Sequence, residues 1–107
     1  MEPEHLRAVL DEFKAGLRAV YGTRLRDVIL YGSYARGQAT EDSDIDVLFV
    51  LGGEVRPSAE VDRVIDLVTD IGLKHRVLLS VYPVSETEFR ERHSPLLLNV
   101  RAEGIPA

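Results

Sequence analysis

Two aspartates and a glycine-serine pair are the residues of this sequence whose types and spacing suit phosphate chemistry. Gly32 and Ser33 close an apolar run, and ten residues separate them from Asp44. Asp44 and Asp46 open a second apolar run, with one residue between them. Because residues i and i+2 of a strand point to the same face, the two carboxylates project together, about 7 Å apart along the backbone. This placement predicts a site for one or two hard cations such as Mg²⁺.

The glycine-serine turn offers the groups that a triphosphate needs. Gly32 lets backbone N–H groups approach closely, Ser33 adds a hydroxyl donor, and Arg36 adds a forked cation. We therefore predict that Gly32, Ser33 and Arg36 bind the nucleotide. For Arg36 a second interpretation stays open, a surface ion pair with Glu41 or Asp42 of the following polar loop.

The complete pattern resembles a known family signature. Gly32-Ser33, ten residues and then Asp44-x-Asp46 is similar to the signature of the polymerase-β-like nucleotidyltransferases. The fuller form, with Arg36 in Gly-Ser-x-Ala-Arg-Gly and then Ser-Asp-Ile-Asp-Val, resembles the minimal nucleotidyltransferases of prokaryotes. The resemblance implies a nucleotidyltransferase fold and transfer of AMP from ATP to a hydroxyl acceptor. It also implies that Asp44 and Asp46 are the catalytic ligands of Mg²⁺ or Mn²⁺.

The same resemblance implies a partner. Minimal nucleotidyltransferases are often paired with a helical HEPN protein in toxin–antitoxin systems. We therefore expect a HEPN-type partner whose tyrosine hydroxyl accepts the AMP. Whether the chain forms a homo-oligomer or a hetero-oligomer stays open at this point.

One strand departs from the family pattern. Family enzymes usually carry a third carboxylate on the third strand, which the sequence predicts over Arg76–Tyr82. Ser80 is the only polar residue inside that run, and serine cannot replace a carboxylate as a base or a charged ligand. The departure supports an alternative function, a catalytically weak nucleotide-binding or antitoxin-like module that neutralises its partner by contact. A subunit of an antibiotic-modifying enzyme is disfavoured because no second substrate domain is present.

Hydrophobic spacing and turn residues predict the elements that position these residues. Their order gives an α/β (α+β) domain over residues 1–107, with a small mixed sheet of three or more strands and helices packed on it. Because a short loop joins the first two strands, we expect them to be antiparallel. The predicted elements are a helix from Pro3 to Val20 with Gly22 as cap, a strand over Asp27–Tyr31, a helical turn over Ser33–Gly37, a strand over Ile45–Leu51, a helix from Ser58 to Gly72, the third strand ended by Pro83, a helix from a capping box at Ser85 through Arg92, and a helix from Ser94.

Composition bounds the function further. The net charge of −5 argues against general binding to nucleic acid, which needs clustered Lys and Arg. The chain has no cysteine, no apolar run long enough for a membrane helix and an acidic beginning, so we expect a cytoplasmic protein. Its three histidines, His5, His75 and His93, lack ligand spacing and are expected at the surface.

Apolar residues occupy both faces of the second and third predicted strands. In the second strand Val47 and Phe49 alternate with Leu48 and Val50. Either the helices of this chain cover both faces, or part of this surface binds another subunit.

Overall fold

The computed structural model describes residues 1–107 as one mixed sheet with helices on both faces. The helices are α1 (Pro3–Tyr21), α2 (Ser33–Arg36), α3 (Pro57–His75), α4 (Glu86–Glu91) and α5 (Pro95–Glu103). The strands are β1 (Leu25–Tyr31), β2 (Ile45–Leu51), β3 (Leu79–Ser85) and β4 (Ile105–Pro106). A 3₁₀ turn over Gly22–Arg24 joins α1 to β1. None of these helices combines the length and apolar character needed to cross a membrane.

The sheet has the strand order β3-β2-β1-β4. β1 and β2 are antiparallel, as the short connection between them predicts. β2 and β3 are parallel, with α3 as the crossover, and β4 pairs antiparallel with β1. The predicted mixed α/β architecture is therefore confirmed, with β4 as a strand that sequence patterns did not reveal.

The two faces of β2 are both buried by the chain's own helices. Val47 and Phe49 belong to the larger core cluster, which α1 and α3 cover. Leu48 and Val50 belong to a smaller cluster, which α4 and α5 cover. All four side chains are at most 2% exposed. The apolar character of β2 therefore needs no second subunit, and oligomerisation stays a prediction.

Three helix ends form as predicted. Gly22 caps α1 with a φ of 56°, which favours glycine. The hydroxyl of Ser85 accepts a hydrogen bond from the backbone N–H of Glu88, which is one half of the capping box. The hydroxyl of Ser94 accepts from the N–H of Leu97 in the same way at the start of α5.

The region between α3 and α4 corrects the sequence prediction. α3 begins at Pro57 rather than with Ser58 as its N-cap, and it continues through Gly72 to His75. A Cβ at Gly72 would lie 2.9 Å from the carbonyl oxygen of Val77, so this glycine serves a close contact and does not end the helix.

The third strand is displaced as a consequence. The prediction of Arg76–Tyr82 is wrong by three residues, since β3 spans Leu79–Ser85. Pro83 lies inside β3 instead of ending it, which an edge strand tolerates because one side of its backbone has no neighbour. β1 also begins two residues before the predicted Asp27.

Candidate functional site

Gly32 connects the glycine-serine turn to the second aspartate. It lies between β1 and α2 with a φ of 74°, a backbone conformation that favours glycine. A Cβ at this position would lie 2.2 Å from Oδ2 of Asp46. Backbone conformation and close packing therefore both require glycine here. The turn packs directly against the Asp46 carboxylate.

The single turn of α2 orients Arg36. The backbone N–H of Arg36 donates to the carbonyl of Gly32 at 3.1 Å, and Gly37 ends the turn with a φ of 72°. The Arg36 guanidinium then lies 3.1 Å, Nη1 to Oε2, from Glu103 of α5. Its Nε is also 3.4 Å from Oε1 of Gln38. The alternative ion pair of Arg36 with Glu41 or Asp42 is therefore wrong, because its acidic partner is Glu103 of α5.

Asp46 lies in a row of side chains across the sheet. The strand register pairs Asp46 with Tyr31 on β1 and with Ser80 on β3. Paired residues of neighbouring strands share a face, so Ser80 lies beside Asp46 on the α4–α5 face. The position at which the family pattern leads us to expect a third carboxylate therefore carries a hydroxyl.

Three charged groups, Asp44, Asp46 and Arg36, interact at this part of the sheet. Burial raises the pKa of Asp46, the neighbouring Asp44 carboxylate raises it further, and Arg36 lowers it. Burial also raises the pKa of Tyr31 to about 12, with Asp46 and Tyr82 adding to the shift. Asp44 is exposed just before β2, whereas Asp46 is half-buried. The two carboxylates therefore interact, as their spacing predicts.

A cleft of about 330 Å³ forms where these elements meet. It is lined by Tyr31, Gly32, Ser33, Arg36 and Asp46, and by Leu96, Asn99 and Glu103 of α5. Four of the five predicted site residues thus share one cleft. The α5 residues were missed, although they recur at helical spacing, because a local pattern does not say which helix face meets the sheet.

A larger cavity of about 740 Å³ lies beside this cleft. Asp44, the fifth predicted site residue, borders it together with Tyr34 and His75. It contains neither Gly32 nor Asp46 and therefore lacks the glycine-serine turn. The smaller cleft is the candidate site for that reason, and the charge of Asp44 acts on it through Asp46.

Two of the three histidines are not independent surface residues. Nε2 of His5 lies 3.2 Å from Nδ1 of His75, and Nε2 of His75 lies 3.3 Å from Oε2 of Glu12. Lys74 also bonds to Glu12, and this contact lowers the pKa of the Glu12 carboxyl. The surface expectation holds for His93 alone, which is exposed.

The residues of the site fit a hard cation. No group of three or more His, Cys, Asp or Glu side chains is arranged to hold a metal, and the Asp44–Asp46 pair is the candidate donor set. Mg²⁺ commonly takes one or two carboxylates and fills its remaining positions with water and phosphate oxygens. Burial first, and then the neighbouring Asp44 carboxylate, raises the pKa of Asp46, and a bound cation would offset both effects.

Comparison with known proteins decides the family. The model of the nucleotidyltransferase domain matches residues 10–100. The chain belongs to the nucleotidyltransferase domain family. This nucleotidyltransferase domain is 42% identical over 83 residues to a candidate protein adenylyltransferase of Methanocaldococcus jannaschii, which covers 78% of this chain and 77% of that protein.

Two further relatives agree with this assignment. The domain is 42% identical over 45 residues to the protein adenylyltransferase MntA of Thermococcus cleftensis, which covers 42% of this chain and 43% of MntA. A crystal structure of a toxin–antitoxin with AMP-PNP superposes with a TM-score of 0.65 at 21% identity, over 90% of this chain and 69% of that one. At that identity the likeness shows a shared fold, and it confirms the predicted nucleotidyltransferase fold.

Proposed function

We propose that this chain is an adenylyltransferase that transfers AMP from ATP to a hydroxyl of a protein acceptor, a tyrosine on a HEPN-type partner. The observation that carries the proposal is the contact between the glycine-serine turn and Asp46, where a Cβ on Gly32 would lie 2.2 Å from the carboxylate. This close approach supports the proposal because the turn that would bind phosphate and the carboxylate that would bind the metal meet at one point.

The nucleotide occupies the α5-lined cleft in this proposal. Backbone N–H groups at Gly32 and the hydroxyl of Ser33 donate hydrogen bonds to the β- and γ-phosphates. The guanidinium of Arg36 lines the same cleft and supplies positive charge to the same phosphates. The α-phosphorus then lies toward Asp46 and the rim of the cleft.

Asp44 and Asp46 would hold Mg²⁺ or Mn²⁺ in this site. The cation, when bound, lowers the pKa of the acceptor hydroxyl and stabilises charge on the leaving group. The acceptor oxygen attacks the α-phosphorus of ATP, the bond to the β-phosphate oxygen breaks, and pyrophosphate leaves. The acceptor proton passes to a water or a carboxylate at the rim.

Names of relatives support the acceptor class. The relatives from M. jannaschii and T. cleftensis are described as protein adenylyltransferases, and the structural neighbour is described as a toxin–antitoxin. We carry these descriptions to this chain only as part of the proposal. The HEPN-type partner comes from the resemblance of the sequence signature.

A second function has one specific observation in its favour. Ser80 lies in register with Asp46, on the strand where the resemblance implies a third carboxylate. A chain with two acids instead of three would bind nucleotide and partner but transfer AMP slowly. In that case the chain is a nucleotide-binding antitoxin-like module that acts by contact.

One experiment separates the two functions. The chain is incubated with Mg²⁺, ATP labelled at the α-phosphate and the protein encoded by the adjacent reading frame, which we expect to be of HEPN type. Label on the partner that requires Asp46 supports transfer, and Asp46→Asn is the control variant. A partner that stays unlabelled yet is inhibited by this chain would contradict transfer and favour the contact function.

A further inference from the structure

Glu103 forms an ion pair with Arg36 inside the cleft. Oε2 of Glu103 lies 3.1 Å from Nη1 of Arg36, and the two side chains are 39% and 43% exposed. Both residues line the cleft that contains Gly32 and Ser33. The only arginine of the cleft is thus paired with a carboxylate of the chain itself.

Tight packing at the end of α5 holds Glu103 in this place. The next residue, Gly104, turns so closely that a Cβ there would lie 2.5 Å from the carbonyl oxygen of Val100 and 2.6 Å from Cγ2 of Ile29. The N–H of Gly104 also donates to that Val100 carbonyl at 2.7 Å. β4 follows at once and pairs Pro106 with Ile29 of β1. The backbone at Glu103 is therefore held against the sheet, and the carboxylate does not lie on a free end.

We propose that Glu103 competes with polyphosphate for Arg36, so that it weakens the binding of ligands that carry β- and γ-phosphates and promotes the release of pyrophosphate. This inference rests on the proposed function. A polyphosphate takes the guanidinium from the carboxylate, which then faces the ligand as a like charge. After transfer, Glu103 pairs with Arg36 again and helps to expel pyrophosphate.

Competition with Glu103 weakens the binding of every ligand that uses Arg36. ATP and pyrophosphate carry the phosphates that Arg36 would hold, whereas AMP carries only the α-phosphate. Removal of the Glu103 charge frees the guanidinium and removes the repulsion. ATP and pyrophosphate should then bind more tightly, while the affinity for AMP should not change.

Calorimetry with Glu103→Gln tests this inference. We expect Mg²⁺-ATP and Mg²⁺-pyrophosphate to bind about threefold tighter or more, which is the scale of a partly exposed ion pair plus the lost repulsion. AMP serves as the ligand control. Glu88→Gln is the matched protein control, because it removes a similar Glu–Arg pair, 3.3 Å to Arg92, on α4 outside the cleft.

Two further measurements separate competition from a structural effect. In an Arg36→Gln background, Glu103→Gln should no longer change affinity, because the shared partner is gone. In steady-state transfer, Glu103→Gln should lower KM and kcat together, since ATP binds better and pyrophosphate leaves more slowly. A loss of packing alone would not lower KM and kcat together.

Each outcome decides the inference. Unchanged or weaker ATP binding by Glu103→Gln overturns it, as does an equal gain for AMP or a gain that persists without Arg36. Tighter binding together with an unlabelled partner leaves the inference standing while the transfer function fails. If the unmodified chain labels its partner and Glu103→Gln has unchanged ATP affinity, the transfer function stands and the inference fails. If the unmodified chain binds no triphosphate, both fall.

Discussion

Two acidic side chains withdrawn from water show how differently this fold treats carboxylates. Glu60 of α3 is 3% exposed and receives hydrogen bonds from Tyr21 Oη at 3.1 Å and from Arg63 Nη1 at 3.3 Å. The Asp46 carboxylate accepts no hydrogen bond from another side chain. Asp44 adds a second negative charge beside it. Donors surround one carboxylate, whereas the other faces an open cleft.

The difference separates a structural acid from a functional one. A carboxylate whose donors come from the protein stabilises the fold and is not available to a ligand. A carboxylate that is desolvated without donors is destabilising until a ligand or cation supplies them, and such groups concentrate at functional sites. Glu60 on the α1–α3 side is therefore expected to contribute to stability, whereas the cleft beneath α5 is the part of the molecule that we propose for binding.

The largest expected effect comes from Asp46→Asn. Loss of one anionic ligand should weaken Mg²⁺-dependent ATP binding by about a hundredfold, the scale of one hydrogen-bonded charge. Calorimetry with and without metal measures this, and Glu60→Gln is the control that should bind ATP normally. Equal ATP affinity of the unmodified chain with and without metal would contradict a metal-binding role for Asp46.

The reverse test concerns stability. Glu60→Ala removes the carboxylate that accepts from the Tyr21 hydroxyl at 3.1 Å and leaves only the 3.4 Å contact with the backbone carbonyl of residue 60, so the free energy of unfolding should fall by about 1–3 kcal/mol. Urea denaturation measures the loss, and Asp46→Asn should not show it. If both variants lost the same stability, the contrast between the two carboxylates would be wrong.

These predictions depend on contacts that the sequence specifies only in part. The motif residues and β2 were predictable, since alternation of Val47 and Phe49 with Leu48 and Val50 marks a doubly buried strand. The position of β3 was not, because Gly72 and Pro83 look like breaks in a local pattern. Their tolerance depends on the Val77 carbonyl beside one and the open sheet edge beside the other, and both are tertiary facts.

The cleft shows the same limit. The glycine-serine turn and Asp46 were predicted together because their chemistry is encoded in local spacing. Asn99 and Glu103 were not, because only the packing of α5 on the sheet brings them to Arg36. Local sequence thus identified one wall of the cleft, and the fold supplied the other.

A smaller effect is expected from Ser80→Asp. Ser80 shares a face with Asp46, so a carboxylate there should complete the metal site and raise the rate of labelled AMP transfer by about tenfold or more. Ser80→Asn is the control, since it has similar size without the charge. An unchanged rate would mean that the hydroxyl at this position does not limit catalysis, and rapid transfer by the unmodified chain would mean the same.

The smallest effect concerns pH. The pKa of Asp46 is raised in the folded state, so the native protein binds more protons than the unfolded chain between the unfolded value, about 3.9, and the folded one. Stability should therefore fall as pH rises through this window and stay lower above it. In EDTA at pH 7, Asp46→Asn should melt slightly higher than the unmodified chain.

The pH series also has its own internal check. The difference in Tm between Asp46→Asn and the unmodified chain should vanish below about pH 3.9, where the carboxyl is protonated in both states. Mg²⁺ should raise the Tm of the unmodified chain and leave that of Asp46→Asn nearly constant. A variant less stable than the unmodified chain at pH 7 would contradict the account.

The two edge strands of the sheet have a consequence for behaviour at high concentration. β3 contains Pro83, which has no amide proton to offer an added strand, and β4 is only two residues long and ends in Pro106. Such edges are poor templates for strand addition and guard a β-sheet against edge-to-edge aggregation. Any association of this chain should therefore use helix faces, and continuous sheet growth into fibres should be disfavoured.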